Sequence, residues 1–207
     1  MTVFWRVCGG VHGRVHRLGH GRKYSRKHLA IKPRLAYGLS MQEKHATFLA
    51  LGSNLPANYV SSVDLLHAAI AAIAAARVRV VAVSSFYRTR PFGPSQPDYV
   101  NLVLKVNTVL GARGLLHEMQ NVEAAFGRAR EVKWGPRTLD IDLISMPAAR
   151  SGPDPVLPHG EMHCRGFVLY PLCEIAPGWR HPVSGTPICQ LIGGLPPAER
   201  AGITRLA

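Results

Sequence analysis

The run Leu139-Asp140-Ile141-Asp142-Leu143 alternates apolar and acidic side chains with a period of two. On an extended strand, alternate residues point to opposite faces, so Leu139, Ile141 and Leu143 are expected in a core while Asp140 and Asp142 project together. Neighbouring carboxylates repel and raise one another's pKa, and a divalent cation between them relieves this most easily. A solvated polar face on an edge strand is the alternative, and for a bare pair of acids it is the better one.

The rest of the chain falls into two unlike pieces. Residues 1–45 carry ten of the 25 Lys and Arg residues, five of the ten histidines and one of the 12 acids, which leaves 15 basic against 11 acidic residues for positions 46–207. The formal charge of +13 is therefore concentrated at the start and does not by itself argue for a nucleic-acid or membrane partner. Residues 1–45 show neither helical nor strand periodicity, so no packed fold is expected there. A basic tail, an organellar targeting peptide, and a stretch upstream of a true start at Met41 are all consistent with them; the last is favoured because it puts the first strand near the N-terminus.

From Ala46 the pattern is regular. Thr47 to Leu51 reads as a strand closed by Gly52, Ser53 and Asn54, and Asn58 or Ser61 can cap a helix reaching Ala76, with Leu65, Leu66, Ala69, Ile70 and Ile73 at helical spacing. Val78 to Tyr87 and Tyr99 to Thr108 predict two antiparallel strands, Gly114 to Phe126 a second helix stopped by Gly127, and Thr138 to Ile144 a last strand. The order predicts an α+β fold of ferredoxin-like β-α-β-β-α-β type, an antiparallel sheet with helices on one face. Residues 145–207, rich in Pro and Gly, read as an irregular extension with a short helix near Leu169 to Ile175. No apolar run is long enough for a membrane helix, and Cys8, Cys164, Cys173 and Cys189 lack zinc-site spacing and are expected as reduced thiols.

The neighbourhood of the two acids favours chemistry over a bare surface. Arg128, Arg130, Lys133 and Arg137 precede Asp140 in a segment with Gly127, Gly135 and Pro136, and cations on a loop beside a metal-binding strand suit a polyphosphate. Gln120 and Glu123, three apart on the second helix, share a face that could meet a ligand. No GxxxxGK[ST] loop is present, so LGSNL at 51–55 is not a phosphate-binding loop of that kind.

The run WGPRTLDIDLI at 134–144 resembles the signature of the 6-hydroxymethyl-7,8-dihydropterin pyrophosphokinases. LGSNL at 51–55, SSFYRT at 84–89, QPDYVN at 96–101, GRAR at 127–130, PH at 158–159, RGF at 165–167 and PLCEIAP at 171–177 follow in that family's order, so the resemblance spans about Ala46 to Ile192. It implies transfer of pyrophosphate from ATP to the pterin hydroxymethyl oxygen with release of AMP, in folate biosynthesis. By it, Asp140 and Asp142 would bind two magnesium ions. Gln120, Glu123, Arg128, Arg137, His159 and Arg165 would contact ATP, and Arg128 and Arg130 would belong to a loop that closes for the chemistry. Tyr99 and Phe167 would sandwich the pterin, with Thr89, Phe92 and Asn101 reading its hydrogen-bonding edge. For Tyr99, Phe167 and His159 core packing is the alternative. Gly160 stands where the family often has an aromatic residue.

A monomeric, cytoplasmic enzyme with small-molecule substrates, and neither a membrane nor a specific nucleic-acid partner, is the resulting expectation. A ferredoxin-like nucleic-acid-binding module is the alternative, since such sheets also host RNA recognition.

Overall fold

The computed structural model describes residues 46–91, 95–128, 135–147 and 154–206. The expectations placed on residues 1–45 and Met41, on Phe92, on Arg130 and Lys133, and on the segment 148–153 lie outside these.

Strand β1 (Thr47–Ser53) is buried along its whole length because it is flanked on both sides. It pairs antiparallel with β4 (Tyr99–Thr108) and with β5 (Asp140–Ser145). The second strand of the expected unit is broken in two, β2 (Val78–Val83) and β3 (Tyr87–Thr89), both on β4, and β6 (Ile203–Arg205) adds to β3. The sheet order β5-β1-β4-β3-β6, with β2 also on β4, is that of a ferredoxin-like unit extended by one C-terminal strand.

Helix α1 (Ser62–Ala75) begins where Ser61 caps it, the Ser61 hydroxyl accepting the Asp64 N–H at 3.2 Å. Helix α2 (Ala112–Ala125) ends at Gly127, whose φ of +74° suits glycine and lets the Arg128 N–H return to the Glu123 carbonyl at 3.1 Å. Leu65, Leu66, Ala69 and Ile73 of α1 and Leu115, Met119 and Val122 of α2 pack on Leu49, Leu51, Leu102, Leu104, Ile141 and Leu143 of the sheet.

These two helices lie on one face, as the periodicity predicts, but the extension is less irregular than expected. Helix α3 (Gly166–Ile175) starts a turn earlier than the sequence suggests and covers the opposite face. There Val168, Leu169 and Leu172, with Met162 and Trp179, pack against Phe48, Ala50, Val103 and Ile144. Side chains this size contribute on the order of 1.5–3 kcal/mol each when fully buried, so the extension is structural rather than accessory. Two short helices, α4 (Ile188–Gly193) and α5 (Pro197–Ala201), precede β6. Ferredoxin-like RNA binders read nucleotides on a sheet face left open, and here α3 covers part of that face. Among the described residues no helix is long and apolar enough to cross a membrane.

Candidate active site

Helix α3 covers only part of its face. Toward the ends of β1, β4 and β5 the residues on that face change from apolar to small or polar, and the register sets them side by side. Gly52 of β1 stands between Asn101 of β4 and Asp140 of β5, and Ala50 stands between Val103 and Asp142. On the far side of β4, Asn101 faces Tyr87 and Tyr99 faces Thr89. The sheet thus carries a row of polar side chains across three strands, walled at one end by the start of α3.

Asp140 and Asp142 share the face as the alternation requires, each partly exposed, while Ile141 and Leu143 are buried behind them. Asp140 is gripped by two guanidinium groups, Arg128 Nη2 on Oδ1 at 2.7 Å and Arg137 Nη1 on Oδ2 at 2.5 Å. Burial pulls Arg137 down, but Asp140 beside it outweighs this and holds its guanidinium above its ordinary pKa. Asp142 is met less closely, by Arg165 Nη1 at 3.7 Å. Burial and then the charge of Asp140 push the Asp142 carboxyl up, against the pull of His159 and Arg165. A carboxylate so placed gains from a further cation. Among the described residues no group of three or more His, Cys, Asp or Glu gathers to form a complete protein cage. Two carboxylates opening on a cleft nevertheless suit magnesium, which takes one or two from the protein and completes its shell with phosphate oxygens and water.

Glu123 departs from its expected position. It is 3% exposed, whereas Gln120 on the same helix lies in the open. Its Oε1 accepts the Ile141 N–H at 2.6 Å and is paired with Arg128, so it satisfies the edge of β5 and anchors the arginine that reaches Asp140. Burial pushes its carboxyl up, while those two partners oppose the shift. Glu123 is therefore built into the wall behind Asp140 and does not share an open face with Gln120.

The other expected residues collect around the same row. The Asn101 amide donates to Thr89 Oγ1 at 2.8 Å, both residues being buried. The Tyr99 hydroxyl reaches the Gly135 carbonyl at 3.3 Å, and burial pushes its pKa up. Phe167, in the first turn of α3, packs against the second core, with the Arg165 guanidinium 5.6 Å from its ring centroid. The His159 N–H donates to the Ile144 carbonyl at 2.8 Å, which holds it beside Asp142. A side chain added at Gly160 would meet nothing within 4 Å, so the position opens on space.

Two residues without a role in the sequence reading belong here. Gly52 makes room for Asn101, and buried Asn54 bonds two separate segments, at Gln96–Pro97 and at Arg137. Both lie in LGSNL, whose recurrence was a signal of importance but not of purpose.

Residues 48–177 match the family model described as 7,8-dihydro-6-hydroxymethylpterin-pyrophosphokinase (HPPK). The 2-amino-4-hydroxy-6-hydroxymethyldihydropteridine pyrophosphokinase of Synechocystis is 43% identical over 157 residues, covering 73% of this chain and 76% of that protein. Its namesake from Haemophilus influenzae is 44% identical over 132 residues, 62% of this chain and 80% of that one. The crystal structure of wild-type Plasmodium falciparum HPPK-DHPS with pteroate superimposes with a TM-score of 0.55 at 12% identity, over 77% of this chain and 45% of that one. The chain spans less than half of that longer protein, and at such identity the likeness shows the fold alone.

Proposed function

The chain belongs to the 7,8-dihydro-6-hydroxymethylpterin-pyrophosphokinase family, and from this we propose how its residues divide the work of one reaction. It is an ATP-using diphosphotransferase of folate biosynthesis. The hydroxymethyl oxygen of 6-hydroxymethyl-7,8-dihydropterin bonds to the β-phosphorus of ATP, the bond from that phosphorus to the oxygen bridging the α-phosphate breaks, and AMP leaves with that oxygen while the hydroxyl proton is released.

The observation that carries the assignment of sites is the row across β4, β1 and β5. It sets Asn101 and Thr89 on one side of Gly52 and the Asp140–Asp142 pair with Arg128, Arg137 and Arg165 on the other. The first side suits a flat heterocycle with a hydrogen-bonding edge, held between Tyr99 and Phe167. The second suits a polyphosphate. Two magnesium ions, held by Asp140 and Asp142 with phosphate oxygens, would neutralise charge on the transferring group. Arg128 and Arg137 each engage one oxygen of Asp140. Toward a triphosphate bound with its cations, these guanidinium groups would offer planar forks suited to its oxygens. Arg165, His159 and Gln120 complete the nucleotide side, Glu123 acts by holding Arg128, and Arg130 and Phe92 keep the roles the family resemblance gives them.

Transfer through a loose transition state asks little of a general base, so positioning and charge neutralisation carry the acceleration. The enzyme is further read as a cytoplasmic monomer, free thiols at Cys173 and Cys189 being in keeping with a reducing compartment.

The test is AMP and pterin diphosphate formed by the purified protein. They are expected in equal amounts, only with ATP, magnesium and the dihydropterin together. Asp140→Asn and Asp142→Asn are each expected to lower kcat by roughly 10²–10³ with the fold retained, the scale at which a charge-stabilising group contributes. AMP formation undiminished in both variants would refute the assignment of these carboxylates.

A further inference from the structure

Asn54 follows β1 and is 2% exposed. Its side-chain oxygen accepts the Arg137 N–H at 2.8 Å, while its Nδ2 donates to Gln96 Oε1 at 3.0 Å and to the Pro97 carbonyl at 3.1 Å. The backbone N–H groups of Asn54 and Leu55 both donate to the Arg137 carbonyl at 3.1 Å. The amide thus uses both its donors and its acceptor on three partners, none of them near it in sequence. An asparagine serving only its own turn would bond backbone two residues on. Here the bonds span 42, 43 and 83 positions.

The partners decide what this does. Pro97 lies two residues before Tyr99 and four before Asn101, on the chain entering β4. Arg137 enters β5 and places its guanidinium on Asp140. One buried amide therefore bolts the entrance of β4 to the entrance of β5 at the end of the strand between them. We propose that Asn54 is a positioning residue that sets the distance between the pterin-holding and phosphate-holding halves of the site. This rests on the division of the site given above. A misplacement near 1 Å can cost about 10²-fold in rate, so a bond network this short has kinetic weight without touching either substrate.

The two halves of the amide can be separated. Asn54→Asp keeps the size and the acceptor for the Arg137 N–H but has no donor for the Pro97 carbonyl, which can only accept. Asn54→Ala removes both side-chain links and leaves the two backbone bonds to the Arg137 carbonyl in place. Steady-state kinetics with each substrate varied, together with calorimetric binding of a nonhydrolysable ATP analogue and of the pterin, would be measured well below each variant's Tm. Asn54→Asp is expected to raise the pterin KM about tenfold with the ATP KM within about twofold, and Asn54→Ala to lower kcat by roughly 10² as well. Kinetic constants within twofold of wild type in both variants, with Asp140→Asn inactive, would overturn the proposal and leave the function standing. So would a lower active fraction with both KM values unchanged, which is the mark of a stability effect alone. Absence of AMP from the wild type would overturn the underlying function and this proposal with it.

Discussion

A Cβ on Gly52 would stand 2.8 Å from the Asn101 side-chain oxygen, closer than side chains pack. Asn101 cannot move away cheaply, because its amide is tied to Thr89 inside a buried pair. Gly52→Ala is therefore expected to raise the pterin KM about tenfold while the ATP KM stays near wild type, since the residue displaced is Asn101, which we propose reads the heterocycle. Equal effects on both substrates would contradict this. The same scale shows what could be read from the sequence. The Asp140–Asp142 pair was legible because a period of two needs only local backbone geometry. The place of Glu123 was not: a carboxylate three residues from exposed Gln120 becomes buried only because a distant edge N–H, that of Ile141, and Arg128 are there to receive it.

Among the elements, those fixed by local signals were legible. Of the two caps the sequence allows, Ser61 is the one that starts α1, and the Gly127 stop of α2 falls where the sequence puts it. The break between β2 and β3 does not follow from local pattern, since Val78 to Tyr87 reads as one strand. It arises because the Ser84 hydroxyl accepts the Val103 N–H at 2.9 Å, a ladder bond taken by a side chain, while the Ser84 N–H still donates to the Val103 carbonyl at 3.0 Å. Both residues are buried, so Ser84→Ala leaves a donor unsatisfied. A loss of about 1–3 kcal/mol in unfolding free energy is expected, read as a lower denaturant midpoint with kcat unchanged. An unchanged midpoint would mean that water or another group replaces the hydroxyl.

At the scale of the whole molecule, the sheet is covered on both faces, and the second cover was the part least visible in advance. Residues 145–207 are punctuated by proline and glycine, so the apolar stripe of α3 shows only once Phe48, Ala50 and Val103 are seen to need a partner. A polar cluster also ties this extension to the sheet. Glu174 on α3 accepts from the Ser85 N–H at 3.1 Å, the Ser85 hydroxyl at 2.8 Å and the Tyr87 hydroxyl at 2.9 Å, and Arg205 of β6 joins it at 3.1 Å. Burial pushes the Glu174 carboxyl up, but these bonds and the arginine outweigh it and hold the group below its ordinary 4.5. A depressed carboxylate stabilises the fold fully above that ordinary value, and the contribution is lost as pH falls through the folded value. Tyr87 gives the alkaline counterpart. Burial and Glu174 push its hydroxyl up to about 12 from an ordinary 10.0, so the stability it lends fades as pH rises across that interval. Glu174→Gln should flatten the acid limb of the stability curve and Tyr87→Phe the alkaline limb; an unaltered curve in both would show that the cluster does not couple to folding. Whether the two neighbouring carboxylates on β5 hold the cation of a bound nucleotide is read from the binding of manganese, a paramagnetic substitute for magnesium, in the presence of a nonhydrolysable ATP analogue. The wild-type protein is expected to bind manganese with the nucleotide, and Asp140→Asn and Asp142→Asn to bind it at least about tenfold more weakly; equal manganese affinity in all three proteins would rule that role out.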